Sequence, residues 1–199
     1  MAGQINLDSE MGQLIKSYAE NQKYSSYLEI GAWNGEGSTT CFIQGLKNRD
    51  DDYSFISLEA CPNFYSQAKK YCEQSLSDKI QILHGRIVDD EELIKDSKEP
   101  QHSDFLKTDR NNYNTCVNVW DQIKNQNFDV VLLDGGEFST WAEFKKLQPI
   151  TTVFILDDCK MLKNKKVVEE LNSSSQWRLV KSSNKRNGFA IYERVLNVI

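Results

Sequence analysis

The chain of 199 residues has no basic excess, no long apolar run and no paired-cysteine motif, and each absence removes a class of function. Acidic side chains outnumber basic ones, 29 to 24, for a formal net charge of -5, so the positive field that gathers nucleic-acid phosphates is missing. No stretch approaches the ~20 consecutive apolar residues that span a bilayer, and the opening Met-Ala-Gly-Gln-Ile-Asn does not read as a signal sequence. A soluble, intracellular, cytoplasmic protein is expected, with no membrane span and no nucleic-acid partner. The five cysteines (Cys41, Cys61, Cys72, Cys116, Cys159) are odd in number and contain no C-x-x-C pair, which argues against a zinc site or a disulfide framework and for free thiols. Cys159, beside two aspartates, has no histidine near it in sequence, a poor setting for a nucleophile. With no internal repeat or low-complexity tract, the length suits one domain over 1–199.

The stretch Tyr27-Leu-Glu-Ile-Gly-Ala-Trp-Asn-Gly-Glu-Gly-Ser38 carries the strongest signal. A short apolar run ends in a carboxylate and breaks into three glycines, Gly31, Gly35 and Gly37, before Ser38 and Thr39 open a helix. The glycine spacing differs from the G-x-G-x-x-G that brings a diphosphate onto a helix N-terminus, and the acidic Glu29 would repel such a group. A cationic or hydroxyl-bearing ligand suits it better; a βα turn with no ligand is the competing reading. The stretch resembles motif I of the class I S-adenosylmethionine (SAM)-dependent methyltransferases, in which this turn wraps the amino acid and ribose parts of the cofactor.

Along the chain, Leu7 to Asn21 has helical apolar spacing and forms a leading helix within 1–23. After the glycine turn come a helix to Leu46, a strand from Ser54 to Leu58 ending in Glu59, a helix from Pro62 to Tyr71 and a strand from Ile80 to Leu83. Asp89 to Lys95 makes one or two helical turns, and the polar stretch 96–114 reads as an acceptor-binding loop or lid, with a disordered insertion as the alternative. Tyr113 to Lys124 is expected to be helical, with Cys116, Val119, Trp120 and Ile123 on one face. Phe128 to Asp134 is a buried parallel strand, followed by a helix to Lys146, a strand from Thr152 to Leu156, a helix carrying Val167, Val168 and Leu171, and two final strands. Lys163, Lys165 and Lys166 read as a solvated helix face. The outcome is an α/β, Rossmann-like class I methyltransferase fold: a mostly parallel seven-stranded sheet, helices on both faces, and a C-terminal antiparallel hairpin where a dinucleotide-binding domain would more often continue in parallel.

In such a sheet ligands bind beyond the carboxyl ends of the strands, where Glu29, Glu59, Asp134, Asp157 and Asp158 converge. Glu59 is placed to accept both hydroxyls of a ribose. So many acids in one cleft need a countercharge. SAM answers part of this, and a magnesium or manganese ion on Asp134, Asp157 and Asp158 would answer the rest while activating an acceptor hydroxyl. Leu133-Asp-Gly-Gly-Glu137 and Ile155-Leu-Asp-Asp158 resemble the motifs of small metal-dependent O-methyltransferases, most of all the macrocin and related sugar O-methyltransferases. That resemblance implies Asp134, Asp157 and Asp158 as metal ligands and a sugar or glycan acceptor, such as a deoxysugar of the rhamnose kind. Related enzymes often carry histidine where Glu137 stands, so Glu137 is open to three roles: catalytic base, metal ligand or helix cap.

The remaining candidates surround this core. Trp33, Ala60, His84 and Gly85 join Glu29, Gly31, Gly35, Gly37, Ser38, Glu59 and Asp134 as candidate cofactor contacts, His84 lying near the adenine or satisfied by backbone. Asp134, Glu137 and His102 are the catalytic candidates, and Trp141 could pack against a sugar face or in the core. A metal-free methyltransferase acting on protein, RNA or another small molecule, and a SAM-binding module that transfers nothing, stand as alternatives.

Overall fold

The computed structural model describes residues 5–94 and 102–195, of His102 the backbone alone. Eight strands form one sheet: β1 (Ser26–Ile30), β2 (Ser54–Glu59), β3 (Ile80–Arg86), β4 (Val117–Asn118), β5 (Phe128–Leu133), β6 (Thr151–Leu156), β7 (Trp177–Ser183) and β8 (Phe189–Arg194). Their order is β4-β3-β2-β1-β5-β6-β8-β7, parallel except where β8 runs against β6 and β7. Strand order reverses between β1 and β5, and this places the crevice at their carboxyl ends.

The central strands are apolar on both faces because both are covered. Tyr27, Phe55, Val130, Leu132, Val153 and Ile155 pack toward α1 (Glu10–Glu20), α2 (Ser38–Leu46) and α3 (Pro62–Tyr71). Leu28, Leu58, Val131, Leu133, Phe154 and Leu156 pack toward the other layer, which contains α6 (Thr140–Leu147) and α7 (Leu162–Ser173).

Two expectations need correction. The stretch 96–114 is not a loop throughout: 96–101 lies outside the described residues, and His102–Tyr113 forms a helix, α4. It went unread because its inward positions are mostly polar. Tyr113 to Lys124 is not one helix either; α4 ends at Tyr113, β4 pairs with Gly85 and Arg86, and a short α5 (Trp120–Ile123) follows. Arg86 donates to the carbonyls of Tyr113, at 2.7 Å, and of Cys116, bracing the turn that ends α4, and Asn118 Oδ1 takes the Trp120 amide at 2.9 Å to start α5. Cys116, Val119 and Ile123 are buried as expected, so the core side chains were right and the backbone between them was not. The added β4 raises the strand number from seven to eight.

Candidate active site

At the end of β1 the backbone turns through Gly31, whose φ of +98° is open to glycine at low cost. A Cβ there would lie 2.3 Å from the Asp134 carbonyl, so the lack of a side chain lets the ends of β1 and β5 touch. Trp33 follows with φ +48°, a conformation rare outside glycine and held here because its amide donates to Glu59 Oε2 at 2.7 Å. Glu59 Oε1 accepts the Cys61 amide at 2.8 Å, so one carboxylate fixes the turns after β1 and β2.

These turns open onto a cavity of about 300 Å³. Gly31, Trp33, Glu59, Ala60, Gly85 and Asp134 line it, six of the expected cofactor contacts. Phe64 stands 5.9 Å from Trp33, ring centre to ring centre, and extends the apolar wall. Glu29, Gly35, Gly37, Ser38 and His84 are not among the lining residues. Glu29 is wholly buried beneath the turn, where Oε2 accepts Thr39 Oγ1 at 2.6 Å and Ser57 Oγ at 2.5 Å, binding β1, β2 and α2 together. Burial pushes its carboxyl up to about 7 against those hydroxyls. Gly35 offers its carbonyl to Thr40, Ser38 is buried in the first turn of α2, and His84 Nε2 lies 3.0 Å from the Ala60 carbonyl with its ring stacked on Tyr65.

The far wall comes from α4 and α6. Thr108, Asp109, Asn112 and Tyr113 line the cavity from α4, and Glu143 from α6. Sequence reasoning missed all five. The signal was present as four-residue steps, Thr108 to Asn112 and Asp109 to Tyr113, which put these polar residues on one helical face. Asp109 Oδ2 takes the Phe138 amide at 3.1 Å, an approach that requires Gly136, since a Cβ there would lie 2.8 Å from that oxygen. The Tyr113 hydroxyl donates to Glu143 Oε1 at 3.0 Å. Burial pushes the carboxyls of Glu59 and Glu143 up to about 7 and that of Asp109 up to about 6. Arg86 also lines the cavity, with its guanidinium committed to backbone carbonyls and to Asp89. Four carboxylates beside one committed base make a cavity chemically suited to a cationic ligand such as SAM.

Beside the cavity, carboxylate oxygens of Asp134, Asp157 and Asp158 lie within 4.8 Å of one another, so the three expected metal ligands do converge. Their donor chemistry suits a hard dication. A cation already stands among them: Lys163 Nζ lies 2.5 Å from Asp134 Oδ1 and 2.9 Å from Asp158 Oδ2. Lys163 is 6% exposed, which corrects its assignment to a solvated face; Lys165 and Lys166 are exposed. The reason is register: Lys163, Val167 and Leu171 follow at four-residue steps and share the buried side of α7. As folded, these residues do not fit a resident divalent ion.

The charges respond accordingly. Burial alone would lower the hold of Lys163 on its proton, but Asp134 and Asp158 outweigh it and keep the ammonium charged. Asp158 is held below the usual carboxylate range by Lys163 and Asn187 despite its own burial. Asp134 is raised by burial in spite of Lys163, and Asp157 by burial and by the charges of Asp134 and Asp158. Glu137 Oε1 accepts the Lys163 amide at 3.2 Å in the first turn of α7, a different helix from the adjacent one that it was expected to cap. Trp141 stacks on Phe144 and is not among the cavity-lining residues. The side chain of His102 lies outside the described residues, and burial pushes the Cys159 thiol up to about 12.

No family model and no curated protein sequence matches the chain. Solved structures do. A candidate caffeoyl-CoA O-methyltransferase of Staphylococcus aureus superposes with a TM-score of 0.66 at 15% identity, covering 94% of this chain and 84% of that one. The O-methyltransferase TomG of Streptomyces achromogenes, in complex with SAM, gives 0.63 at 15% identity over 96% and 82%. The N-terminal domain of EvdMO1, in the presence of SAH and D-fucose, gives 0.53 at 13% identity over 95% and 84%. At these identities the likeness is one of architecture, and with the strand order and the hairpin it establishes that the chain has the Rossmann-like α/β fold of the class I methyltransferases.

Proposed function

We propose that the protein is a SAM-dependent O-methyltransferase acting on a hydroxyl of a small, sugar-like acceptor. The observation that carries this reading is the acidic cavity at the β1–β5 switch point, walled by the glycine turn and by Glu59, Asp109, Asp134 and Glu143. When bound, SAM supplies a methyl group activated by its sulfonium charge. Glu59 would hold the ribose hydroxyls with lone pairs left over after its two backbone contacts. Trp33 and Phe64 supply apolar wall, and Asp109 and the buried Glu143 opposite balance the cationic end of the ligand.

Asp134 is shared by the cavity and the adjoining acidic rim, so an acceptor hydroxyl is best placed there, with Asp157, the rim carboxylate that Lys163 does not pair with, able to take its proton. Asp134, Asp157 and Asp158 would hold magnesium or manganese only if Lys163 withdrew. The sugar class is supported by the resemblance to macrocin-type enzymes and by the D-fucose present with EvdMO1, fucose being a 6-deoxy sugar. Calorimetry with SAM and SAH, followed by methyl transfer to a panel of free and nucleotide-linked sugars, tests the reading. Binding of both nucleosides and transfer to a sugar oxygen are expected; binding of neither removes the proposal.

A further inference from the structure

The acidic rim is built around a lysine, and the local fold explains how that lysine is delivered. Lys163 is the second residue of α7, its amide held by Glu137, and the neighbouring Asn164, fully buried, donates to the carbonyls of Leu133 and Asp157. The first turn of α7 is therefore pinned to the ends of β5 and β6, which carry the aspartates. From that turn the ammonium reaches Asp134 and Asp158 at direct contact distance. A magnesium ion would need oxygens of these same aspartates at about 2.0–2.1 Å, and a dication that close to a buried ammonium is repelled.

We infer that Lys163 is the resident cation of the Asp134–Asp157–Asp158 rim, a positioning residue that sets the two aspartates it touches and takes the place of a divalent ion. A methyltransferase on this scaffold would then work without added metal; that consequence rests on the proposed function, whereas the cation assignment does not. An ammonium also has three N–H donors, of which the two aspartates use two, so one remains for an oxygen at the rim.

Manganese binding to the purified, EDTA-treated chain, followed by calorimetry and electron paramagnetic resonance, tests the assignment apart from activity. The wild type is expected to bind no manganese up to about millimolar concentration, and Lys163→Arg to behave likewise, since each keeps a fixed cation. Lys163→Met, of similar length but neutral, should gain manganese binding by roughly tenfold or more, because three clustered carboxylates are left without a countercharge. If Lys163→Met unfolds, manganese should restore its folded circular dichroism signal; failure to do so counts against the assignment. Micromolar manganese binding by the wild type, or no gain in a folded Lys163→Met, overturns it. SAM titration of the same samples separates the two ideas: the manganese pattern without SAM binding leaves Lys163 in its role and removes only the methyltransferase reading.

Discussion

Glu59 holds two backbone amides and faces the cavity, so its removal should be felt by the ligand and by the loop together. Glu59→Ala is expected to weaken SAM binding by about 1.5–3 kcal/mol, the range for a charge-assisted hydrogen bond, and calorimetry at fixed pH reads this directly. Unchanged affinity would take Glu59 out of the ribose site. Glu59 was legible because it ends a strand at a fixed distance from a glycine turn, and Asp134, Asp157 and Asp158 were legible on the same ground. Glu29 obeys that pattern too and yet lies beneath the turn, because a strand alternates its faces and a spacing rule does not say which face a side chain takes. Lys163 was misread for a different reason: a lysine is ordinarily solvated, and only its four-residue step to Val167 reveals a buried side.

Among the elements, α4 meets the core with few apolar side chains. Of its residues Tyr113 is buried and Leu106 packs partly against the same cluster, while Phe105 is half exposed; Asp109 on Phe138, Arg110 on Asp90 and Tyr113 on Glu143 add polar ties. Helices with few buried apolar contacts open locally at low free energy. Amides of 105–113 are therefore expected to exchange with deuterium well before those of β1 and β5, and to slow when SAH fills the cavity. Protection equal to the central strands in the free protein would contradict this. The same poverty of apolar contacts hid α4 in the sequence: hydropathy reports faces that meet a core, and this one meets a cavity. The sheet was readable for the converse reason, since β5 and β6 carry the unbroken apolar runs Val130 to Leu133 and Val153 to Leu156, which only a doubly covered strand tolerates.

For the whole molecule, the cost of the acidic cleft should appear as a dependence of stability on pH. Glu29, Glu59 and Glu143 are raised to about 7 from an ordinary 4.5, so the folded state holds more protons than the unfolded chain between those values. Stability from these groups is fully present below about pH 4.5 and falls as pH rises toward 7, by up to roughly 3 kcal/mol for each group at 1.4 kcal/mol per unit. Asp158, depressed by Lys163, works in the opposite direction and is lost in acid. Urea unfolding should thus be hardest on the acid side of neutrality, and Glu143→Gln should flatten the decline between about pH 5 and 7. A midpoint that climbs through that interval, or a Glu143→Gln slope equal to the parent's, would refute the account.

The C-terminal hairpin has a bearing on this cleft that its distance in sequence conceals. Asp158 sits at φ +51°, and the tip between β7 and β8 grips it: Asn187 Nδ2 donates to Asp158 Oδ1 at 2.9 Å, and the carbonyls of Gly188 and Asn187 accept the amides of Cys159 and Lys160. The ribbon thus acts as a clasp on the segment that presents the aspartate. Lengthening or shortening its tip would retune the chemistry some thirty residues upstream, and this gives the fold a means of diversifying without altering any wall of the ligand chamber.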